Sequence, residues 1–410
     1  MRAPENAFAV LLHGRAIGLL HRRAEFTWLT FDAGYVADPG RAVLGLRFEE
    51  QLHARHRANV RLPPWFSNLL PEGRLREWIA SDRGVPASRE MELLARVGRD
   101  LPGAVQVVEV DASPEHGEDV RPEVLAGVAT APAPSFWRFS LAGVALKFSM
   151  LEDADRFVAP GVGEGGDWII KLPDPTYPQV PLNEFAMMTL ARQVGIDVPD
   201  VKLVHRDQLE GLPSNLWPAG EHHAYAVRRF DRDPARRAIH IEDLAQVRGF
   251  YPDEKYSGAF ETVASLVYRR RDAAALEEFA RRLAFNVLIE NGDAHLKNWS
   301  LIYRDPRVPT LAPAYDLVAT SIYRPPEAAE NMGLKFGGSR RFGRVSLASF
   351  EALRTRLGAT VPLVEHVVTL VERVRAAWSD IVPLFEAYPT MAEQIGAKIV
   401  ANLRLFEGRS

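Results

Sequence analysis

The sequence predicts a mixed α+β protein, with a strand-rich lobe followed by a helical lobe and a further sheet-rich unit in front. Three observations predict it. Short strand-like runs separated by Gly, Pro and Asp turns occupy roughly the first hundred residues. A second strand-dominated stretch runs from Phe136 to about Asp231, and beyond it the apolar residues recur at helical spacing. The 410 residues are 47% hydrophobic and 25% charged, inside the range of globular chains and long enough for about two to four cores.

Taken in order, Phe26 to Phe31 and Ala42 to Phe48 read as strands, with turns at Asp32-Ala-Gly34 and Asp38-Pro-Gly40. Helices are expected over Gly73 to Asp82 and Ser88 to Val97, then a break at Leu101-Pro-Gly103 and a strand over Val105 to Val110. The Pro- and Ala-rich stretch Ala129 to Ser135 reads as a linker, which puts a domain boundary between Val110 and Ser135. Val144 to Leu151 alternates, with Lys147 and Ser149 on one face and Leu146, Phe148 and Met150 on the other. A glycine-rich turn from Gly161 to Gly166 leads to the strand Trp168 to Leu172, and a helix follows from about Leu182 to Val194, stopped by Gly195. Long amphipathic helices are expected at 272–291, 347–357, 362–378 and 391–406. The division is 1–110, a β-rich subdomain; 136–231, a strand-rich lobe; and 232–410, a helical lobe.

Composition narrows the functions. Fifty Lys and Arg against 53 Asp and Glu give a formal charge of -3, which argues against binding polyanions by bulk positive charge. The chain has no Cys, so disulfides, thiolate metal sites and cysteine nucleophiles are excluded, and a reducing, cytoplasmic setting is expected. The apolar N-terminal stretch is interrupted at His13-Gly-Arg15 and reads as neither a signal peptide nor a membrane span.

The densest chemical cluster is Asn291-Gly-Asp293-Ala-His295-Leu-Lys297-Asn298. Leu276, Phe279, Leu283 and Val287 recur at helical spacing, so a buried helix should deliver these polar groups to the turn after it. Asp can accept a proton, Lys can neutralise a phosphate, and Asn offers a neutral oxygen to Mg2+. A solvated turn capped by Asp and Asn is the plain alternative. Tyr315-Asp316 adds a carboxylate that could share a metal with Asn298, or make an ordinary turn. Lys171, within the apolar run Trp168-Ile-Ile-Lys-Leu172, calls for an anion: a nucleotide phosphate, or Glu184 at the start of the next helix. Its alternative is an edge strand with the lysine turned outward. Ser140-Leu-Ala-Gly143 could place backbone N–H groups near phosphate. His222 and His223 lack further ligands at zinc-like spacing, His240 and His295 read as hydrogen-bonded structural residues, and Arg269-Arg-Arg271 reads as a solvated start of a helix.

In order along the chain, these segments resemble the HipA-like serine/threonine kinases, the toxins of bacterial toxin–antitoxin pairs. Ser140-Leu-Ala-Gly143-Val-Ala-Leu-Lys147 is similar to the family's phosphate loop, with Ala145 where the family has Gln, and Trp168-Ile-Ile-Lys171-Leu-Pro173 to its ATP-lysine strand. Asn183-Glu184 opens the next helix as in the family, and Ala226-Val-Arg228-Arg-Phe230-Asp-Arg232 resembles its adenine-holding hinge. Asn291 to Asn298 resembles the catalytic loop, Tyr315-Asp316 the metal-binding pair, and Phe66-Ser-Asn-Leu-Leu-Pro-Glu-Gly73 part of the N-terminal subdomain.

The resemblance implies a two-lobed kinase-like fold binding ATP and Mg2+. It implies Asp293 as the base, and Asn298 and Asp316 as metal ligands. Ala142, Gly143, Lys147, Lys171, Arg228, Phe230, His295, Lys297, Asn298, Tyr315 and Asp316 become the nucleotide site, and Ser140 the autophosphorylated serine. A phosphate on Ser140 would add about -1.5 to -2 charges beside the nucleotide, a physical reason for loop ejection. The expected partners are a protein substrate and a DNA-binding antitoxin through which DNA is reached, with no membrane. Two other functions fit the same motifs: a kinase-like partner of an antitoxin acting in autoregulation, and a small-molecule or lipid kinase.

Overall fold

In a computed structural model of the chain, residues 5–110, 146–160, 165–212, 216–325 and 327–407 are described. The first sheet contains β1 (Glu5–Leu12), β2 (Arg15–Arg23), β3 (Phe26–Phe31), β4 (His56–Asn59) and β5 (Val105–Val110), in the order β4-β3-β2-β1-β5 and antiparallel throughout. Alternation fixes its register: Phe8, Val10 and Leu12 point into a core shared with Trp65, Phe66 and Leu94, while Ala7 and Ala9 take the opposite face. The helices Gly73–Arg83 and Glu90–Val97 and the strand Val105–Val110 agree with the sequence expectation.

One expected strand is absent. Ala42 to Phe48 forms no ladder; it is irregular chain ending in the one-turn helix Leu46–Glu49. The run is apolar because Val43, Leu44 and Phe48 are buried, and the Val43 N–H is satisfied by the Pro306 carbonyl at 2.8 Å instead of by a neighbouring strand. A further hairpin, β1 and β2 turning at His13 and Gly14, lies where the sequence reading placed only an apolar stretch. The linker and boundary expected between Val110 and Ser135 lie outside the described residues.

The second sheet has the order β7-β6-β8-β10-β9, built from β6 (Lys147–Asp153), β7 (Arg156–Val158), β8 (Trp168–Lys171), β9 (Val201–His205) and β10 (His223–Arg228). Its two faces do different work. Phe148, Met150, Trp168, Ile170, Ala224 and Ala226 pack into the core of the first unit, while Tyr225 and Val227 join the core of the helical lobe. Lys147 and Lys171 are directly opposed across β6 and β8, and Tyr225 faces Lys171 from β10. The helix Val180–Gln193 follows β8, and Gly195 takes a positive φ of 89° just past its end, as expected of a left-handed cap.

The helical lobe is centred on the helix Ala273–Leu288, with Leu276, Phe279, Leu283 and Val287 fully buried. The helices Leu347–Leu357, Leu363–Ile381 and Pro389–Leu403 match the expected runs within a few residues. A small sheet forms from β11 (His240–Asp243), β12 (Ser300–Tyr303) and β13 (Thr310–Leu311); the strand-like run Leu301 to Tyr303 in the sequence is β12, whereas β11, β13 and the helix Phe260–Tyr268 go beyond the sequence reading. The Arg269-Arg-Arg271 run links two helices, with Arg269 and Arg270 at positive φ and Arg269 hydrogen-bonded to the Leu266 carbonyl at 3.0 Å. No described helix is long and apolar enough to cross a membrane.

Candidate active site

Lys171 sits on a central strand, not an edge, and its side chain is 12% exposed. A buried ammonium there requires anions, and it has two: Glu184 Oε1 at 2.6 Å from the following helix, and the Asp316 carboxylate. Burial alone would lower the Lys171 pKa, but the charges of Asp316 and Glu184 outweigh it and raise it. Burial likewise opposes ionisation of Asp316, yet Lys171 and Lys147 hold its carboxyl down to about 2. Lys147 has less compensation. Its pKa falls to about 8, first because it is buried, with the attraction of Asp316 acting against that and the charge of Lys171 adding to it. Burial pushes the Glu184 carboxyl up to about 7 against the pull of Lys171. The Tyr225 ring lies 5.4 Å from the Lys171 Nζ, and its buried phenol has no hydrogen-bond partner among the described residues.

The polar loop lies where the periodicity of Ala273–Leu288 points. The helix ends at Leu288, Glu290 takes a φ of 49°, and the chain turns at Gly292, where an added Cβ would come within 2.8 Å of the Asn331 carbonyl oxygen. Asn291 is the hub of this turn. Its Nδ2 donates to Asn286 Oδ1 at 2.8 Å and to the Asp316 carbonyl at 3.1 Å, and its Oδ1 accepts from the Asp293 N–H at 3.1 Å. One amide therefore ties the loop to Asp316, which is held at a φ of 55°. Asn298 Nδ2 donates to the Asp293 carbonyl at 2.8 Å, which orients its amide. Asn298 and Asp316 line one small cavity together with Asn291, Tyr315 and Leu317.

Asp293 itself is 53% exposed, and partial desolvation raises its pKa against the opposing pull of Tyr256 and Lys255. The Tyr256 phenol donates to its Oδ1, and His295 Nε2 is 3.8 Å from the same oxygen. His295 is buried, which lowers its pKa to about 3, so the ring is neutral at physiological pH. Tyr315 donates to the Lys297 carbonyl at 2.8 Å, and its ring is 5.6 Å from that of Phe230, two residues past the end of β10. Arg228 is exposed beside it.

Lys297 takes a different position from its loop neighbours. Its ammonium is bound by the Asn68 carbonyl at 2.9 Å, Asn68 Oδ1 at 3.1 Å and Asp243 Oδ2 at 3.0 Å, so it joins the first unit to the helical lobe. Lys147, Lys171, Glu184 and Asp316 thus form one cluster, and Asp293, His295 and Asn298 a second beside it. Ser140, Ala142, Gly143 and Ala145 lie outside the described residues. His222 and His223 pack their rings against His205. Sequence reasoning missed Tyr256, Lys255 and Glu72: they fall in turns without periodicity, and only tertiary packing brings them to Asp293.

The HipA N-terminal domain matches residues 8–108, and the HipA-like C-terminal domain matches residues 139–378. A Sinorhizobium fredii protein named "Putative kinase Y4dM" is 42% identical over 381 residues, covering 90% of each chain. The "Serine/threonine-protein kinase toxin HipA" of Shewanella oneidensis is 24% identical over 385 residues, covering 83% of each. Among solved structures, the Shewanella oneidensis toxin–antitoxin complex of HipA, HipB and operator DNA aligns with a TM-score of 0.73 at 21% identity, covering 97% of both chains.

Proposed function

The chain belongs to the HipA-like family of kinases, and we propose that within it this protein is an ATP- and Mg2+-dependent serine/threonine protein kinase. The observation that carries the reading is the buried Lys171 joined to both Glu184 and Asp316, with the Asp293 loop tied to Asp316 through Asn291. Lys171 and Lys147 offer positive charge to nucleotide phosphates, and Phe230 and Tyr315 lie at the hinge where an adenine would rest. Asp293 accepts the proton of an acceptor hydroxyl as that oxygen bonds to the γ-phosphorus; the bond from phosphorus to the leaving diphosphate oxygen breaks. Asn298 and Asp316 fit Mg2+ by donor type, a carboxylate and a neutral amide lining one cavity, and the ion would neutralise charge on the phosphates. His295, neutral and against Asp293, positions the base, while Lys297 braces the loop from behind.

The same proposal includes the three-unit division at 1–110, 136–231 and 232–410, a cytoplasmic setting, autophosphorylation of Ser140 and a DNA-binding antitoxin as partner. The partner is supported by the family and by the neighbour's complex with HipB and operator DNA. The test is phosphosite mapping by mass spectrometry after expression of wild type and Asp293→Asn, alongside radiolabelled transfer to lysate proteins. Loss of the base should reduce transfer by about 100-fold or more. Silence from the wild type, or equal transfer by the variant, would overturn the reading.

A further inference from the structure

Between the first unit and the helical lobe runs an open groove of about 560 Å3, and Tyr256 belongs both to its wall and to the Asp293 carboxylate. Tyr256 is 40% exposed, and its phenol donates to the oxygen that, in the kinase reading, must receive an acceptor's proton. We propose that Tyr256 is an internal stand-in for the acceptor hydroxyl, and that a serine- or threonine-bearing polypeptide segment enters along this groove and displaces it. The inference rests on the assignment of Asp293 as base.

The chemistry of the groove favours a weakly charged chain segment. Its charged walls are already matched: Lys255 with Glu72 at 2.8 Å, Arg76 with Glu90 at 3.1 Å, and Arg61 with Asp253 at 2.9 Å. A multiply charged metabolite finds no free counter-ion in these pairs, whereas the open apolar surface of Val60, which is 54% exposed, and of the Tyr256 ring suits side chains flanking a hydroxyl. An arriving hydroxyl offers Asp293 the same O–H donor that it loses, so exchange leaves no carboxylate oxygen unsatisfied. The loop that carries Tyr256 is short and irregular, following the single turn Pro252–Glu254, so the phenol can swing without breaking a helix.

The test measures binding of labelled peptides with one central serine and apolar flanks, each paired with an alanine-centred analogue, to wild type, Tyr256→Phe and Val60→Glu full-length protein. Phenylalanine keeps the ring but frees Asp293, so serine peptides should bind the Tyr256→Phe protein about threefold tighter or more, while alanine analogues gain nothing. In transfer assays the acceptor KM should fall in that variant while kcat changes less. Val60→Glu should weaken both peptide sets. Equal binding of serine peptides by wild type and Tyr256→Phe, an equal gain by alanine analogues, or indifference to Val60→Glu overturns the proposal. Absence of transfer in every form with the binding order intact would instead end the kinase reading and the acceptor role with it, leaving only the displacement of Tyr256 from Asp293 by a hydroxyl-bearing segment.

Discussion

Lys171 has two carboxylate partners and a side chain only 12% exposed, and that arrangement sets what its removal does. Lys171→Met leaves the buried Glu184 and the partly buried Asp316 without the cation they share, which should cost about 3–5 kcal/mol. Glu184 can relieve part of this by taking a proton, since its folded pKa is already near 7. A carboxyl with a raised folded pKa contributes stability below its unfolded value that disappears as pH climbs through the folded one. Urea unfolding should therefore find the deficit of Lys171→Met smaller at pH 5.5 than at pH 8. The need for an anion was legible from one lysine in the run Trp168-Ile-Ile-Lys-Leu172, because desolvation is a property of the strand itself. Glu184 was legible as one source of it; Asp316 was not, since it is 145 residues away and reaches the lysine only through the turn that Asn291 holds.

Strand β11 shows how an element can belong to two units at once. Its alternation turns His240 and Glu242 toward the first unit: His240 Nε2 is 2.7 Å from the Leu44 carbonyl, and Glu242 accepts from the Leu46 N–H at 2.9 Å and Trp65 Nε1 at 3.1 Å. The Ala104 N–H approaches His240 Nδ1 at 3.4 Å, so a second ring proton would set donor against donor. With burial as the first cause, the His240 pKa falls to about 4. A histidine depressed in this way stays neutral while the unfolded chain protonates, so its contribution is complete above about pH 6.5 and is lost on acidification toward pH 4. The stability advantage of wild type over His240→Gln should shrink by roughly 3 kcal/mol across that window, as read by denaturant unfolding. Elements with their own periodicity, such as Ala273–Leu288, were legible; β11 was not, because its four residues His240-Ile-Glu-Asp243 carry buried polar groups where a strand pattern calls for apolar ones. Ala42 to Phe48 misled for the converse reason: its apolar side chains are buried without any ladder.

At the scale of the whole molecule, the first unit is fastened to both lobes. Asp100 meets Arg229 at 2.8 Å just past β10, and Asn68 donates to the Phe250 carbonyl at 2.7 Å while accepting from Lys297. The unit thus spans the hinge between strand lobe and helical lobe. Lys297→Met should free it on one side: hydrogen exchange should rise over Leu62 to Leu70 while the amides of Ala273–Leu288 keep their protection. Nucleotide affinity, measured by calorimetry, should stay within about threefold, because the ammonium is committed to Asn68 and Asp243. The order of units was visible in the change of period along the chain. Their mutual attachment was not, since it rests on single polar residues such as Asn68 and Arg229 that have no pattern to betray them.

Lys171 and Asp316 are each other's counter-ion, so the resting cleft shows solvent little net charge at that point. A visitor of one sign only would draw Lys171 and Asp316 apart, leaving Lys171 to Glu184 alone or Asp316 to the charge of Lys147 alone. A visitor bearing both signs a few ångströms apart trades one pair for two. The cleft therefore discriminates by how charge is arranged along a ligand, and favours one that carries both signs over an anion or a cation arriving alone.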